Sequence, residues 1–263
     1  MIGPITAFLE AASVAAKWRK VRAIERRLER DMAKAFRAQG KTFVKRFASL
    51  QGRFSESIGD DDWLGIWDDT AQVTDQLFIR PIQRAVQLSL VAAATELIAD
   101  LEVDYTFALR NPRAVAYVES HGAELVRGIA DTTRDYLRTV ITEGVDNGWS
   151  YNRIAARISE RFTEFAVGRP QDHIESRAHL IAITEVGQSY EAGNEIVVRD
   201  LADAGLRMEK KWSTIGDKRV SAGCRENEAE GWIPVDEQHA SGHMHPLRFP
   251  GCRCTELYRR ARG

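Results

Sequence analysis

Cysteine is scarce in this chain, and what there is comes late. Cys224, Cys252 and Cys254 are the whole complement in 263 residues. An odd count excludes a fully paired disulfide framework, and no basic stretch precedes the first apolar residues as a secretory leader requires. Folding in a reducing cytoplasm is therefore expected. Long hydrophobic runs are missing too. The longest, around Leu88 to Ala94, is interrupted by Ser89 and flanked by Gln87 and Glu96, so no membrane span is legible. Neither sign of charge dominates: 37 basic and 38 acidic residues leave a formal charge of −1, which argues against a bulk coat for nucleic acid. Catalytic signatures are also lacking. There is no His-Glu-x-x-His, no deaminase Cys/His pairing, no Gly-x-Ser-x-Gly elbow and no phosphate-cradling glycine loop. No residue is singled out as catalytic.

What is present reads as an ordinary globular chain, 44% hydrophobic and 29% charged, organised mostly as helices. Residues 4 to about 50 hold Val21, Ile24, Leu28, Met32, Ala35 and Phe36 at helical spacing. The opposite face is basic, with Lys17, Arg19, Lys20, Arg22, Arg26, Arg27, Arg30, Lys34 and Arg37 against Glu25, Glu29 and Asp31. Two readings stand side by side. The face is either a solvated amphipathic surface or a contact for duplex DNA or an acidic partner.

From Gln51 to Asp69 the composition turns acidic and loop-like. The run Asp60-Asp61-Asp62 fits a solvated loop or a helix N-terminus, because adjacent carboxylates do not converge on one ion. A second helix is expected over about 70–101, with Pro81 kinking or breaking it. Asn111-Pro112 then starts the cleanest periodicity in the chain, which Gly144 and Gly148 stop. A shorter helix follows Trp149-Ser150 and ends by Gly168 and Pro170. The last long helix runs from about Asp172 to Ala204. Gly187 and Gly193 inside it are tolerable where another backbone packs close.

The stretch from Leu206 to Tyr258 collects the soft ligands. Leu206, Met208 and Trp212 keep a strand face. A glycine-punctuated turn follows through Asp217 and Arg219, then Cys224, the apolar segment from Gly231 to Val235, the histidines His239, His243 and His245, and the close Pro250-Gly251-Cys252-Arg253-Cys254. Cys224, Cys252 and Cys254 with His243 or His245 would make a Cys3His set, the composition of a closed zinc site. The alternative is three small buried hydrophobes in a β-hairpin. Trp212 and Trp232 are the expected core of this small module. Glu185 on the preceding helix needs a partner, for which Arg219 and Arg253 are the candidates.

The ordered set Thr184-Glu185-Val186-Gly187, Gly193, Lys211-Trp212, Asp217-Lys218-Arg219-Val220, Cys224, Gly231 and Cys252-Arg253-Cys254 resembles the C-terminal domain of phage Mu F-like head morphogenesis proteins. The sequence departs from that pattern at Ile183, Phe249 and Gly251. The resemblance covers about residues 105–258. It implies a non-enzymatic minor head protein, found in the virion head at the portal vertex and in the host cytoplasm during assembly. Its implied partners are the portal protein, other head or scaffold proteins and DNA during packaging or ejection. A metal-dependent hydrolase or toxin domain on the same module is the alternative. The expected fold is mainly α, with long amphipathic helices followed by a small α+β C-terminal module rich in Cys and His. The expected division is a helical region with a basic arm at 1–104, a helical region at 105–205, and the Cys-Arg-Cys module at 206–263 packed on helix 172–204.

Overall fold

The computed structural model describes residues 4–53, 59–168 and 174–261. Helix α1 spans Pro4–Phe47 and runs into a 3₁₀ turn, Ala48–Arg53. It buries Val21, Leu28, Met32, Ala35, Phe36, Phe43 and Phe47, the three-and-four spacing that puts apolar side chains on one face. Helix α2 spans Asp60–Asp100, so the acidic segment expected to be loop as far as Asp69 is helical from Asp60 onward. Its three leading aspartates sit in the first turn, where the helix dipole favours negative charge. Trp63, Trp67, Thr70 and Thr74, each buried, continue the inward face at four- and three-residue steps. The part of the acidic segment from Phe54 to Ile58 lies outside the described residues.

Pro81 stands inside α2, and the helix continues through it. The lost backbone donor is outweighed by burial on both sides, of Phe78 and Ile82 and then of Ala85, Val86 and Leu90. Helix α3, Pro112–Asp146, starts as the Asn-Pro signal requires, with the Asn111 side chain accepting from the Arg113 amide at 2.9 Å. Helix α4, Tyr151–Val167, is capped by Ser150. The helix expected from Asp172 is α5, Arg177–Asp203, and it begins where the Ser176 hydroxyl accepts from the His179 amide at 3.0 Å. The expected stop at Pro170 and the start at Asp172 lie outside the described residues. Gly205, at φ 92°, ends α5, with the Leu206 amide reaching back to the Leu201 carbonyl at 3.1 Å.

Beyond α5 lie strand β1 (Met208–Ser213), helix α6 (Ala222–Glu230), strand β2 (Ile233–Pro234) and strand β3 (Thr255–Arg260). They form a three-stranded antiparallel sheet ordered β2-β1-β3, with Ser213 opposite Thr255 and Lys211 opposite Leu257. The fold is thus mainly helical with a small α+β module near the C-terminus, as expected. Among the described residues, no helix is long and apolar enough to cross a membrane.

The chain forms two compact units built from interleaved stretches. Unit 2 comprises Arg27–Gln83 and Glu119–Ile181. Its centre is aromatic: Phe36 meets Phe78 edge-on at 5.2 Å and Phe165 at 5.3 Å, and Tyr136 meets Phe165 at 5.2 Å. Unit 1 comprises Met1–Arg26, Arg84–Val118 and Ala182–Gly263. There α5 is buried on nearly every side, its polar Thr184, Glu185, Ser189, Glu191 and Asn194 included. A Cβ placed on Gly193 would come within 2.6 Å of the Leu90 carbonyl oxygen and 3.0 Å of the Ala93 Cβ.

That contact generates a test. Gly193→Ala should destabilise the protein in chemical denaturation. Helix propensity alone would make the same change stabilising by about 1 kcal/mol. A rise in stability would mean that the two backbones do not approach this closely.

Candidate functional site

The C-terminal module is held from within by a buried carboxylate. Glu191 on α5, fully buried, accepts from the Thr255 hydroxyl at 2.8 Å and from the Glu256 amide at 3.1 Å. Its counter-ion is Lys17 of α1, 1% exposed, which ion-pairs with the same carboxylate and also donates to the Cys254 carbonyl at 3.1 Å. The next residue, Trp18, donates its indole N–H to the Arg253 carbonyl at 3.1 Å. Lys17 belonged to the basic face in the sequence reading; the structure buries it. The signal was its register, four residues before buried Val21. Glu191 gave none, because a helix buried all round offers no polar face against which to notice it.

A second buried carboxylate adjoins the first. Glu256, 3% exposed, faces the His239 Nε2 at 3.2 Å, and the other ring nitrogen faces Glu230 at 3.1 Å. His239 lies edge-on to Trp212 at 5.1 Å. Burial pushes the Glu256 carboxyl up to about 7; His239 and Lys210 counteract this and Glu191 adds to it.

The three cysteines converge. Cys224 lies in the first turn of α6, which Ser221 caps by accepting from the Cys224 amide, rather than in the flexible glycine turn expected. Cys252 and Cys254 follow the turn at Gly251, which has φ 81° and a Cys252 amide bond to the Phe249 carbonyl at 3.0 Å. The Cys224 and Cys252 sulfurs are 3.9 Å apart, and all three sulfurs lie within 4.8 Å of one another. Exposure is 1%, 4% and 3% in chain order. The neighbouring Cys252 and Cys254 sulfurs hold the Cys224 thiol well below its usual range, while Cys252 and Cys254 are themselves pushed up by Cys224 and by burial. Neither His243 nor His245 joins this group: His243 Nδ1 faces the Ser241 carbonyl at 3.0 Å, and His245 Nε2 faces Glu195 at 3.4 Å.

The remaining motif residues brace the module. Asp217 accepts from Arg253 at 2.7 Å and Arg219 at 3.1 Å, and Arg253 first, then Arg219, hold its carboxyl down at about 2. Both guanidiniums proposed as partners for Glu185 are thus turned to Asp217. Glu185 itself is 4% exposed on α5. Trp212 is fully buried with Val220, Cys224, Leu247, Cys252 and Cys254. Trp232 corrects the expectation of a paired tryptophan core. It is only half-buried beside the two-residue β2 at the sheet edge, with the Arg259 guanidinium stacked 4.2 Å over its ring.

The basic residues of α1 other than Lys17 do lie outside. Arg19, Lys20, Arg22, Arg26, Arg27, Arg30, Lys34 and Arg37 are all exposed. Lys20 pairs with Glu96 and Arg27 with Asp31. Among the described residues, no ion pair joins Arg19, Arg26, Arg30, Lys34, Arg37 or Lys41 to a carboxylate. At about 100° per residue these six fall within an arc of about 80°. In unit 2, Arg37, Lys41 and Lys45 line one wall of a groove of about 390 Å³ whose other wall is Ser159, Phe162 and Thr163.

Residues 135–257 match the family described as Phage Mu protein F like protein. This is the family that the sequence motifs resembled. The matched segment carries Glu185, Glu191, Trp212, Asp217, the three cysteines, His239 and Glu256, and leaves Lys17 and the basic face of α1 outside it. No curated protein and no solved structure matches the chain.

Two outcomes follow from the buried charges. Lys17→Ala strands Glu191 without its cation and should cost roughly 3–5 kcal/mol, read by chemical denaturation of the full chain, with Glu191→Gln added to it restoring part of the loss. The Glu256 carboxyl titrates near 4.5 when unfolded and about 7 when folded, so the fold favours its neutral form. Its contribution is complete below 4.5 and is lost as pH rises through 7, by about 3 kcal/mol over that window. Glu256→Gln should flatten the stability profile between those pH values; an unchanged slope would show that the carboxyl is not the titrating group.

Proposed function

We propose that this protein is a structural minor head component of a tailed phage, present in the virion head and joined to the portal vertex during assembly in the host cytoplasm. The observation that supports the docking mode is the row of unpaired cations on α1. Such a one-sided row suits an acidic surface, because among the described residues these cations have no carboxylate of their own to give up. The portal ring is the proposed owner of that surface, and other head or scaffold proteins are further contacts. Within unit 1, Lys17 and Trp18 fix the N-terminal part of the same helix to the backbone of Arg253 and Cys254.

The reading as a metal-dependent hydrolase or toxin is the weaker one. The thiols, His239 and Glu256 are each under 5% exposed, leaving no path for a substrate to reach them. A second reading of the basic face, contact with duplex DNA during packaging or ejection, has the same charges behind it and is separated by its salt dependence.

Replacing Arg30, Arg37 and Lys41 together by Glu should abolish co-purification with the portal ring and leave the circular dichroism of the chain unchanged. Full retention of the portal by the folded variant would overturn the docking mode. Should the parent bind duplex DNA instead, the slope of log affinity against log salt falls by roughly 3 in the variant.

A further inference from the structure

We propose that Cys224, Cys252 and Cys254 hold a soft d10 metal ion, Zn(II) or Cu(I), in a three-thiolate site with Arg248 as the balancing cation. The geometry comes first. An ion 2.3 Å from each sulfur needs sulfur–sulfur separations of about 3.8–4.0 Å, whether the arrangement is tetrahedral or trigonal. One pair already stands at 3.9 Å and every pair lies within 4.8 Å. Only small side-chain rotations separate the cluster from full ligation.

The surroundings supply a cation. The Ser221 hydroxyl that accepts from the Cys224 amide at 3.3 Å also accepts from Arg248, which brings a cation to the edge of the cluster. Arg248 is itself fixed by a 3.0 Å bond to the Ser221 hydroxyl, and its guanidinium lies against Gly223 so closely that a Cβ there would meet it at 2.6 Å. A cation fixed beside the chain that carries the thiols is an outer-shell feature suited to metal-bound thiolates. Three small hydrophobes in a β-hairpin would need no such cation.

Charge decides the ligand class. Three buried thiolates alone would carry −3, which a site this dry does not support. A divalent ion brings the total to −1, and Arg248 neutralises it; Cu(I) leaves −2, of which Arg248 neutralises half. Among the described residues no histidine or carboxylate belongs to the cluster. The protein ligands are therefore the three thiolates. Hard oxygen-seeking ions such as Mg(II) and Ca(II) are excluded by the donor set.

The test uses the full chain, purified under anaerobic conditions without added metal, with elemental analysis and a thiol count before and after denaturation in chelator. The expected result is about one zinc or copper per chain, with three thiols that react only after release. Elemental analysis says which ion it is. Cys252→Ser should lose the ion, Arg248→Met should weaken binding roughly 10–100-fold, and the double change His243→Ala with His245→Ala should keep it. If Cys252→Ser fails to fold, Co(II) added to the metal-stripped parent decides, through an intense thiolate-to-cobalt charge-transfer band. A parent with three freely reactive thiols that takes up neither Co(II) nor Cu(I) would overturn the proposal. Loss of the ion from the double histidine variant would overturn the ligand set.

Discussion

The ion pair between Lys17 and Glu191 is the constraint from which the C-terminal module takes its position. Two charges withdrawn from water carry a penalty of several kcal/mol each, recovered only when every remaining donor and acceptor is met. Here they are. Glu191 receives an ammonium, a hydroxyl and a backbone amide, while Lys17 also serves a carbonyl and lies about 5.1 Å from the rings of Trp18 and Tyr190. Such a pair adds little net stability over an apolar replacement. What it adds is registration: α1, α5 and the start of β3 have one mutual setting in which no partner is stranded. The residues immediately before β3 are Cys252, Arg253 and Cys254, so the same setting places the thiols.

The family motif acquires physical content on this frame. Gly193 lets the α2 backbone approach α5, and Leu247 packs against Gly187 at the distance of a tight contact. Asp217 gathers Arg219 and Arg253, tying the turn after β1 to the Cys-Arg-Cys segment. Trp212 fills the space between the thiols and His239. Each is a packing or bracing role. The exposed cations of α1 lie outside the matched segment.

Much of this was legible in the chain. Helices with one buried face announced themselves by period, and the Asn111-Pro112 cap and the Trp149-Ser150 turn marked two starts correctly. The clustering of cysteines was visible as well. The failures share a cause, which is that local pattern carries no information about what lies on the far side. Asp60-Asp61-Asp62 is the helix N-terminus that was one of its two readings, but the segment on to Asp69 looked like loop because charge was weighed above the Trp63 and Trp67 spacing. Helix α6 escaped notice because it is short and buries only Cys224 and Asn227. Trp232 was taken for core on size alone, although its strand is an edge of two residues. Lys17 and Glu191 were missed because each is unremarkable until the other, 174 positions away, is beside it.

The interleaving of the two units has a consequence for the order of synthesis. Every residue of unit 2 has been made once Ile181 is added, and its aromatic centre needs nothing later in the chain. Unit 1 begins with the first residues and ends with the last described strand. During translation at roughly 5–20 residues per second, Lys17 therefore waits for its counter-ion until Glu191 has left the ribosome, and for the amide of Glu256 longer still. Until then the N-terminal helix carries a charge that cannot be buried, so unit 1 closes last and does so around a core assembled from three separate stretches of nascent chain.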